Sequence, residues 1–321
     1  MTPTPAHPKP RVRLRGILRA MAGLVTLGLL TWVILRVDRA EFAKMLHELR
    51  WRFALLAVCC SLLSLVCSSL RWLAVLRSQT GLAIRYADVL QGVLLAAALN
   101  LILPSKSGEL AKAFYLRGKT GLSTGLGTVV LERAVDLLVL GSLGIAAGLA
   151  GNHHSAVVAG ALLACTVLVL IGGVLLAPIA ILQPWPRIKE SAQRIRLVFR
   201  TWLTRPWWLA LTFVGSLGAW TAGGATVAVL TVSCNYPLDL LSSYSIFILA
   251  VLSGLVPVSI SGMGVRDTVF VILLGRHMPN AAATFVALGY TMCAYWIPAL
   301  TAMLYFSTGL STYINRINNP D

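Results

Sequence analysis

The chain has 321 residues, 57% hydrophobic and 12% charged, with a mean hydropathy of +0.80. A soluble domain is about 45–50% apolar, so a water-soluble fold is excluded. The formal net charge of +16 does not mark a nucleic-acid binder, because the basic residues cluster in tails and loops beside apolar runs, where anionic headgroups attract them.

In chain order, residues 1–16 combine the proline-rich MTPTPAHPKP with Lys9, Arg11, Arg13 and Arg15, and read as a disordered basic cytoplasmic tail. Eight apolar runs follow, at 17–35, 53–76, 87–103, 122–150, 155–183, 207–234, 241–258 and 281–309. Most are long enough for the roughly 20 residues that cross a bilayer. The first has the basic flank of a signal peptide but no small-residue cleavage site, so it reads as a retained span. Residues 17–310 form the transmembrane domain and 311–321 a second cytoplasmic tail. Segment 36–52 holds Phe42, Met45, Leu46 and Leu49 at helical spacing, and reads as an interfacial amphipathic helix on the outer face despite its five basic residues. The stretch 184–206 carries Arg187, Lys189, Arg194, Arg196, Arg200 and Arg205 against Glu190 alone, which places it inside. The connections 151–154 and 235–240 have no Lys or Arg and fall outside, and both termini are then cytoplasmic.

Counting every run as a full crossing would put Lys106, Lys112, Arg117 and Lys119 on the outer face, against the charge rule. Two re-entrant hairpins remove the conflict. Residues 87–103 turn at Pro104-Ser-Lys-Ser-Gly108-Glu109 and return as a short amphipathic helix ending near Arg117; residues 241–258 turn at Pro257-Val-Ser-Ile-Ser-Gly262-Met-Gly264 and return near His277. The expected fold is an all-α polytopic membrane protein of about six full transmembrane helices plus two hairpins. Its halves, 53–150 and 207–309, each read as span, hairpin, span from opposite faces, the pattern of an inverted repeat. Non-helical backbone at membrane depth must be buried in protein or line a watery cavity, which implies a polar interior site.

Glu132 stands ten residues into its run, ~15 Å at 1.5 Å per residue. Charge at such depth costs about 2.5–3.5 kcal/mol per group on insertion scales. Glu132, Arg133 and Asp136 can share a helical face. They form either a self-neutralising lock between helices or a functional site, and the second acid needs a cation from elsewhere: Arg71, Lys106 or a ligand. Arg71 can equally be snorkelling at the end of its span. In the first turn, Ser105, Lys106, Ser107, Gly108 and Glu109 join hydroxyls, a cation and an acid near a helix N-terminus, which suits a phosphate. Ser259, Ser261, Gly262, Gly264, Arg266 and Asp267 repeat that theme in the second. Ordinary surface loops are the plain alternative for both. His153 and His154 read as solvated loop residues, and the six cysteines, inside or at the ends of apolar runs without ligand or disulfide spacing, as small apolar filler. No catalytic residue, cofactor or metal site is called, and no HExxH, GxSxG or Walker A pattern is present.

The stretch NLILPSKSGELAKAFYLRGKTGLSTGLGTVVLERAVDLLVL, with LRW at 70–72 and VPVSISGMGVRDTVFVILL near the C-terminus, resembles the lysylphosphatidylglycerol synthase transmembrane family, also called flippase-like. The likeness runs from about residue 15 to 310. The family's second motif commonly reads PGGxGxxE; here Ser259, Ile260 and Ser261 precede Gly262, and Asp267 takes the place of the acid. The resemblance implies a multi-pass protein of the bacterial cytoplasmic membrane that moves a lipid between leaflets. The chain ends at Asp321 without the soluble aminoacyl-transferase domain of the full-length enzymes, so synthesis of aminoacyl lipid is not expected.

Three readings follow. In the first, a lipid translocase takes a phosphate-bearing headgroup on Lys106 and Arg266, with Glu109, Glu132, Asp136 and Asp267 balancing those cations; its partner is a membrane phospholipid or lipid-linked substrate. In the second, the chain is a membrane enzyme, or an enzyme's partner, acting on a glycolipid or polyprenyl phosphate, with Glu109 as its strongest acid–base candidate. In the third it is an ion channel or a scaffold. A homo-oligomer or a separate lipid-modifying enzyme fits any of them as partner, and nucleic acid fits none.

Overall fold

A computed structural model describes residues 24, 26–29, 31, 35, 38–79, 83–101, 103, 107–151, 153–176, 178, 186–256 and 259–306. Both tails, most of the first apolar run, and Pro104, Ser105, Lys106 and Pro257 lie outside the described residues.

The described chain is helical, with no sheet. In order come α1 (Arg39–His47), α2 (Trp51–Ser78), α3 (Tyr86–Asn100), a single 3-10 turn (Ser107–Glu109), α4 (Leu110–Tyr115), α5 (Arg117–Thr120), α6 (Leu122–Ala150), α7 (His154–Leu176), α8 (Pro186–Leu203), α9 (Pro206–Ser233), α10 (Leu240–Ser253), α11 (Val265–Leu274) and α12 (Asn280–Phe306). Four helices among the described residues, α2, α7, α9 and α12, are long and apolar enough to cross a membrane. α6 matches them with 29 residues, yet carries Glu132, Arg133 and Asp136.

Two contacts fix one end of the molecule: the Arg50 N–H donates to Ser233 O at 2.9 Å, and Asn235 Nδ2 to Glu48 O at 2.9 Å. His153 Nε2 lies 3.2 Å from Ser242 Oγ at the same end. Residues 38–52 therefore lie at the same end as His153 and residues 235–240. The apolar stripe of this segment is spent on protein: Met45 and Leu49 are buried in the main core, with Phe42 and Leu46 against it. Asp239 caps α10 here, accepting from the Ser242 N–H at 2.8 Å; hydrogen bonds from the Ser242 hydroxyl and N–H hold its carboxyl below the usual range.

At the opposite end the basic stretch expected as a loop is a helix, α8. Its Val198, Phe199 and Trp202 are buried against Leu131, Val135 and Val139 of α6 and Val75 of α2, while Arg194 and Arg200 are exposed and Arg196 Nε donates to Val174 O of α7 at 2.8 Å. The 3.6-residue period of Ile195, Val198, Phe199 and Trp202 carries this helix in the sequence.

In lipid, helices gain nothing by hiding apolar faces from one another, so small residues that permit close approach decide the pairing. α2 and α9 run antiparallel, with Gly215 lying on Arg71 and Gly218 on Cys67, and with Ser64 Oγ donating to Ala219 O at 2.7 Å. α6 and α7 approach more closely still. A methyl added at Gly160 would sit 2.5 Å from Gly141 O, and one at Gly141 would sit 2.8 Å from Gly160 O.

Where the two hairpins are expected, short helices pack in pairs, α3 with α4 and α10 with α11. Their helices are shorter than the apolar runs. α3 stops at Asn100, because Gly108 packs directly on it: a Cβ at Gly108 would fall 2.6 Å from Asn100 Oδ1 and 2.7 Å from its N. α10 stops at Ser253, followed by a turn in which Gly262 has φ +77° and faces Gly254, whose carbonyl oxygen would lie 2.5 Å from an added Cβ. Ser261 also takes a left-handed φ of +52°, costly for a residue with a Cβ. Its hydroxyl donates to Asn100 O, so the two turns touch each other inside the protein.

Valine at Gly160 should therefore push against backbone rather than a yielding side chain. Overpacking of this kind costs about 1–3 kcal/mol, and thermal unfolding in detergent should show a lowered midpoint for Gly160→Val. Gly172→Val, where an added Cβ meets nothing within 4 Å, should leave the midpoint in place.

Candidate functional site

The site begins on α6, where Glu132 and Asp136 stand one turn apart and both are buried. One planar guanidinium can bridge acids at this spacing, and Arg71 of α2 does so: Nη2 lies 2.6 Å from Glu132 Oε1 and Nη1 2.5 Å from Asp136 Oδ1. Burial of Arg71 to 1% exposure decides against snorkelling. The second oxygen of Glu132 receives Lys112 Nζ from α4 at 2.6 Å, and Lys112 also meets Glu109 Oε2 at 2.7 Å, its ammonium 5.0 Å from the centre of the Trp72 ring. Asp136 takes two further donors from α9, Ser216 Oγ at 2.8 Å and Trp220 Nε1 at 3.1 Å. Asn100 Nδ2 donates to Glu109 Oε1 at 3.2 Å.

Arg133 is built differently. Its Nη2 reaches Asp136 at 3.2 Å, Glu132 at 3.3 Å and Glu109 at 3.5 Å, all longer than the contacts of Arg71 and Lys112. Its side chain is 34% exposed, against 2% for each of the other two cations. Arg133 Nε, like Arg71 Nε, has no hydrogen-bond partner in the protein. Three cations (Arg71, Lys112, Arg133) face three acids (Glu109, Glu132, Asp136), so the set is neutral, and Arg133 is its most loosely held member.

These groups wall a polar cavity of about 170 Å³. Ser64, Ser68 and Arg71 of α2, Asn100 of α3, Glu109 and Lys112 of the first hairpin and the α6 triad form one side; Trp220, Tyr290 and Tyr295 face them. Tyr295 lies in a π-helical turn, Met292–Trp296, and such turns occur frequently at functional sites. A more apolar groove of about 480 Å³ adjoins it and shares Glu109, Arg133, Asp136 and Trp220.

Of the residues singled out from sequence, Arg71, Glu109, Glu132, Arg133 and Asp136 come together here. Ser107 and Gly108 lie in the adjoining turn, Ser107 bordering the groove. Ser105 and Lys106 are outside the described residues. Arg266 and Asp267 pair with each other, Nη2 to Oδ1 at 2.8 Å, and Thr291 Oγ1 donates to the same oxygen at 2.7 Å. They stand behind the aromatic wall rather than on the cavity surface: the Arg266 guanidinium lies 4.4 Å from the Tyr295 ring centre and 5.2 Å from that of Tyr290. The Gly264 N–H donates to Asp267 at 3.2 Å. Ser259 and Ser261 are buried, and Gly262 packs on Gly254. Lys112, Asn100, Ser216, Trp220, Tyr290 and Tyr295 are site residues that sequence reasoning missed. Only Lys112 carries a local signal, its i,i+3 spacing from Glu109. Among the described residues no group of His, Cys, Asp and Glu is arranged to hold a metal ion.

Fold and site together define a multi-pass helical membrane protein whose helices enclose a charge-balanced polar cavity. Residues 19–302 match the family described as Lysylphosphatidylglycerol synthase TM region, and the chain belongs to that family. It is also similar to UPF0104 membrane protein MJ1078 of Methanocaldococcus jannaschii, 25% identical over 225 residues that cover 65% of this chain and 92% of that protein.

Glu132→Gln should leave Arg71 with Asp136 alone and Lys112 with Glu109 alone, and the buried set one negative charge short. Breaking a buried pair from one side costs about 3–5 kcal/mol, so the variant should lose most of its monodisperse peak on size exclusion. The neutral double variant Glu132→Gln with Lys112→Met should recover a substantial part of it, and a single variant as stable as the parent would show that the network contributes little.

Proposed function

We propose that this protein is a lipid translocase of the bacterial cytoplasmic membrane, with both termini cytoplasmic, which moves a phosphate-bearing lipid between leaflets. The substrate class is an aminoacyl-phospholipid or a polyprenyl-phosphate-linked lipid, its headgroup in the polar cavity. The observation that carries this reading is Arg133: a side chain one-third exposed at membrane depth, held by the longest contacts of the network and standing between a polar cavity and an apolar groove. Arg71 and Lys112 are consumed by Glu132, Asp136 and Glu109. Arg133 can turn to a phosphate, a good bidentate partner for a guanidinium, at the cost of weak contacts only.

Charge balance narrows the headgroup. A bare phosphate on Arg133 would give the neutral set a net negative charge, whereas a headgroup that also carries an amine keeps the site neutral. Trp220, Tyr290 and Tyr295 on the facing wall add ring surfaces suited to an ammonium group. The inverted-repeat reading receives support from depth: Glu132 lies ten residues into α6 from the α8 end, and Thr291, which holds Asp267, eleven residues into α12 from the other. The enzymatic reading is weaker, because Glu109 is already engaged by Lys112 and Asn100.

In proteoliposomes, dithionite bleaching of fluorescent phosphatidylglycerol, phosphatidylethanolamine and lysyl-phosphatidylglycerol should reveal protein-dependent exchange for at least one lipid. Arg133→Gln should slow it by about tenfold, the loss of ~1.4 kcal/mol, with little change in thermal midpoint because Glu132 and Asp136 keep Arg71 and Lys112. Exchange no faster than in empty liposomes across that panel and a polyprenyl phosphate would rule the translocase out.

A further inference from the structure

The groove beside the cavity has a wall the headgroup reading does not use. Leu110 of α4, Val129, Val130 and Leu137 of α6, and Leu255 of the second turn line it. Leu110 and Val130 are among the exposed apolar residues, so the groove opens sideways on the outer surface rather than toward either end of α6. Its inner end is closed by Glu109, Arg133, Asp136 and Trp220, four residues it shares with the polar cavity. One continuous recess therefore runs from an apolar, laterally open surface to a cation at its inner end.

We propose that this groove binds one hydrocarbon chain of the lipid whose phosphate sits on Arg133, so that the substrate enters and leaves through the gap between α4, α6 and residues 254–255. The inference rests on the translocase reading and adds the route and the part of the lipid that the protein grips. The occupant follows from charge and surface together: a peptide or a second copy would have to desolvate Arg133 against an acid of its own, whereas an anionic lipid presents a phosphate on a chain that matches the groove wall. Energetics sharpen the expectation. Moving a chain from bulk lipid to an apolar protein wall gains little, since lipid tails are as apolar as leucine. Affinity must come from the ion pair at Arg133, and a lipid with the same chains but no phosphate should not be retained.

The test uses phosphatidylglycerol carrying a diazirine midway along one chain, with the full-length protein in nanodiscs, and diacylglycerol with the same chain as control. Labelled peptides are located by mass spectrometry. Phosphatidylglycerol should label residues 129–137 and 254–255 about tenfold above the exposed face of α7 at Leu168 and Val169, while diacylglycerol should show no enrichment. Val130→Trp, which fills the groove without touching the charge network, should abolish the enrichment, and Arg133→Gln should reduce it to the diacylglycerol level. Uniform labelling, equal labelling by both probes, or enrichment that survives Val130→Trp overturns the proposal. The exchange assay separates the two claims. Lost enrichment with undiminished exchange in Val130→Trp removes the chain site and leaves the translocase, whereas enrichment in a parent protein that exchanges no lipid removes the translocase and leaves a lipid-binding groove.

Discussion

The structure depends on one desolvated carboxylate. Glu132 has 1% of its surface exposed and meets a cation on each oxygen, Arg71 from α2 and Lys112 from α4. Three separate elements must converge within hydrogen-bonding distance before that charge becomes tolerable, because a buried ion that loses its partner is far more costly than the intact pair is favourable. The first hairpin therefore cannot swing away from α6 without stripping Lys112 from the second oxygen of Glu132. Rigidity on this side of the cavity leaves freedom to Arg133, whose contact with Glu109 is the longest in the network.

Small residues determine how the frame around that network closes. Gly215 lets α9 lie on the backbone of Arg71, which brings Ser216 and Trp220 to Asp136. Gly108 lets the first turn pack on Asn100, whose carbonyl then accepts the Ser261 hydroxyl from the second turn. The left-handed φ of Ser261 is held by that contact. The two turns thus meet directly, and each helix pair carries its own ion pair, the part-buried Lys112–Glu109 in the first and the fully buried Arg266–Asp267 in the second.

What could be read from sequence followed the cost of the residues. Glu132, Arg133 and Asp136 stand out because charge in an apolar run is expensive, and Glu109 because it follows a proline–glycine turn. Lys112 was hidden among the cations of 106–119, where a loop position explains a lysine equally well; its burial depends on a fold that brings α4 against α6. Ser216, Trp220, Tyr290 and Tyr295 are ordinary residues of apolar helices, and nothing local distinguishes those that face a cavity from those that face lipid. Arg266 and Asp267 were legible as a charged turn but not as a self-contained pair behind a tyrosine wall, since adjacency in sequence does not say which partner each will choose. The α8 helix was not legible because a run of basic residues suits a cytoplasmic loop as well as the polar face of a helix, and the stripe of Val198, Phe199 and Trp202 gains its meaning only when packed on α6.

The central claim, a hydrated recess inside the helical bundle, is open to direct measurement by cysteine accessibility in native membranes, with the six natural cysteines replaced. A thiol reacts with a charged, membrane-impermeant methanethiosulfonate only where water lets it ionise. Ser68→Cys, on the cavity wall of α2, should react, while Leu63→Cys, on the exposed face of the same helix, should not. A Ser68→Cys variant as inert as Leu63→Cys, with reagent applied to both sides of the membrane, would contradict the claim.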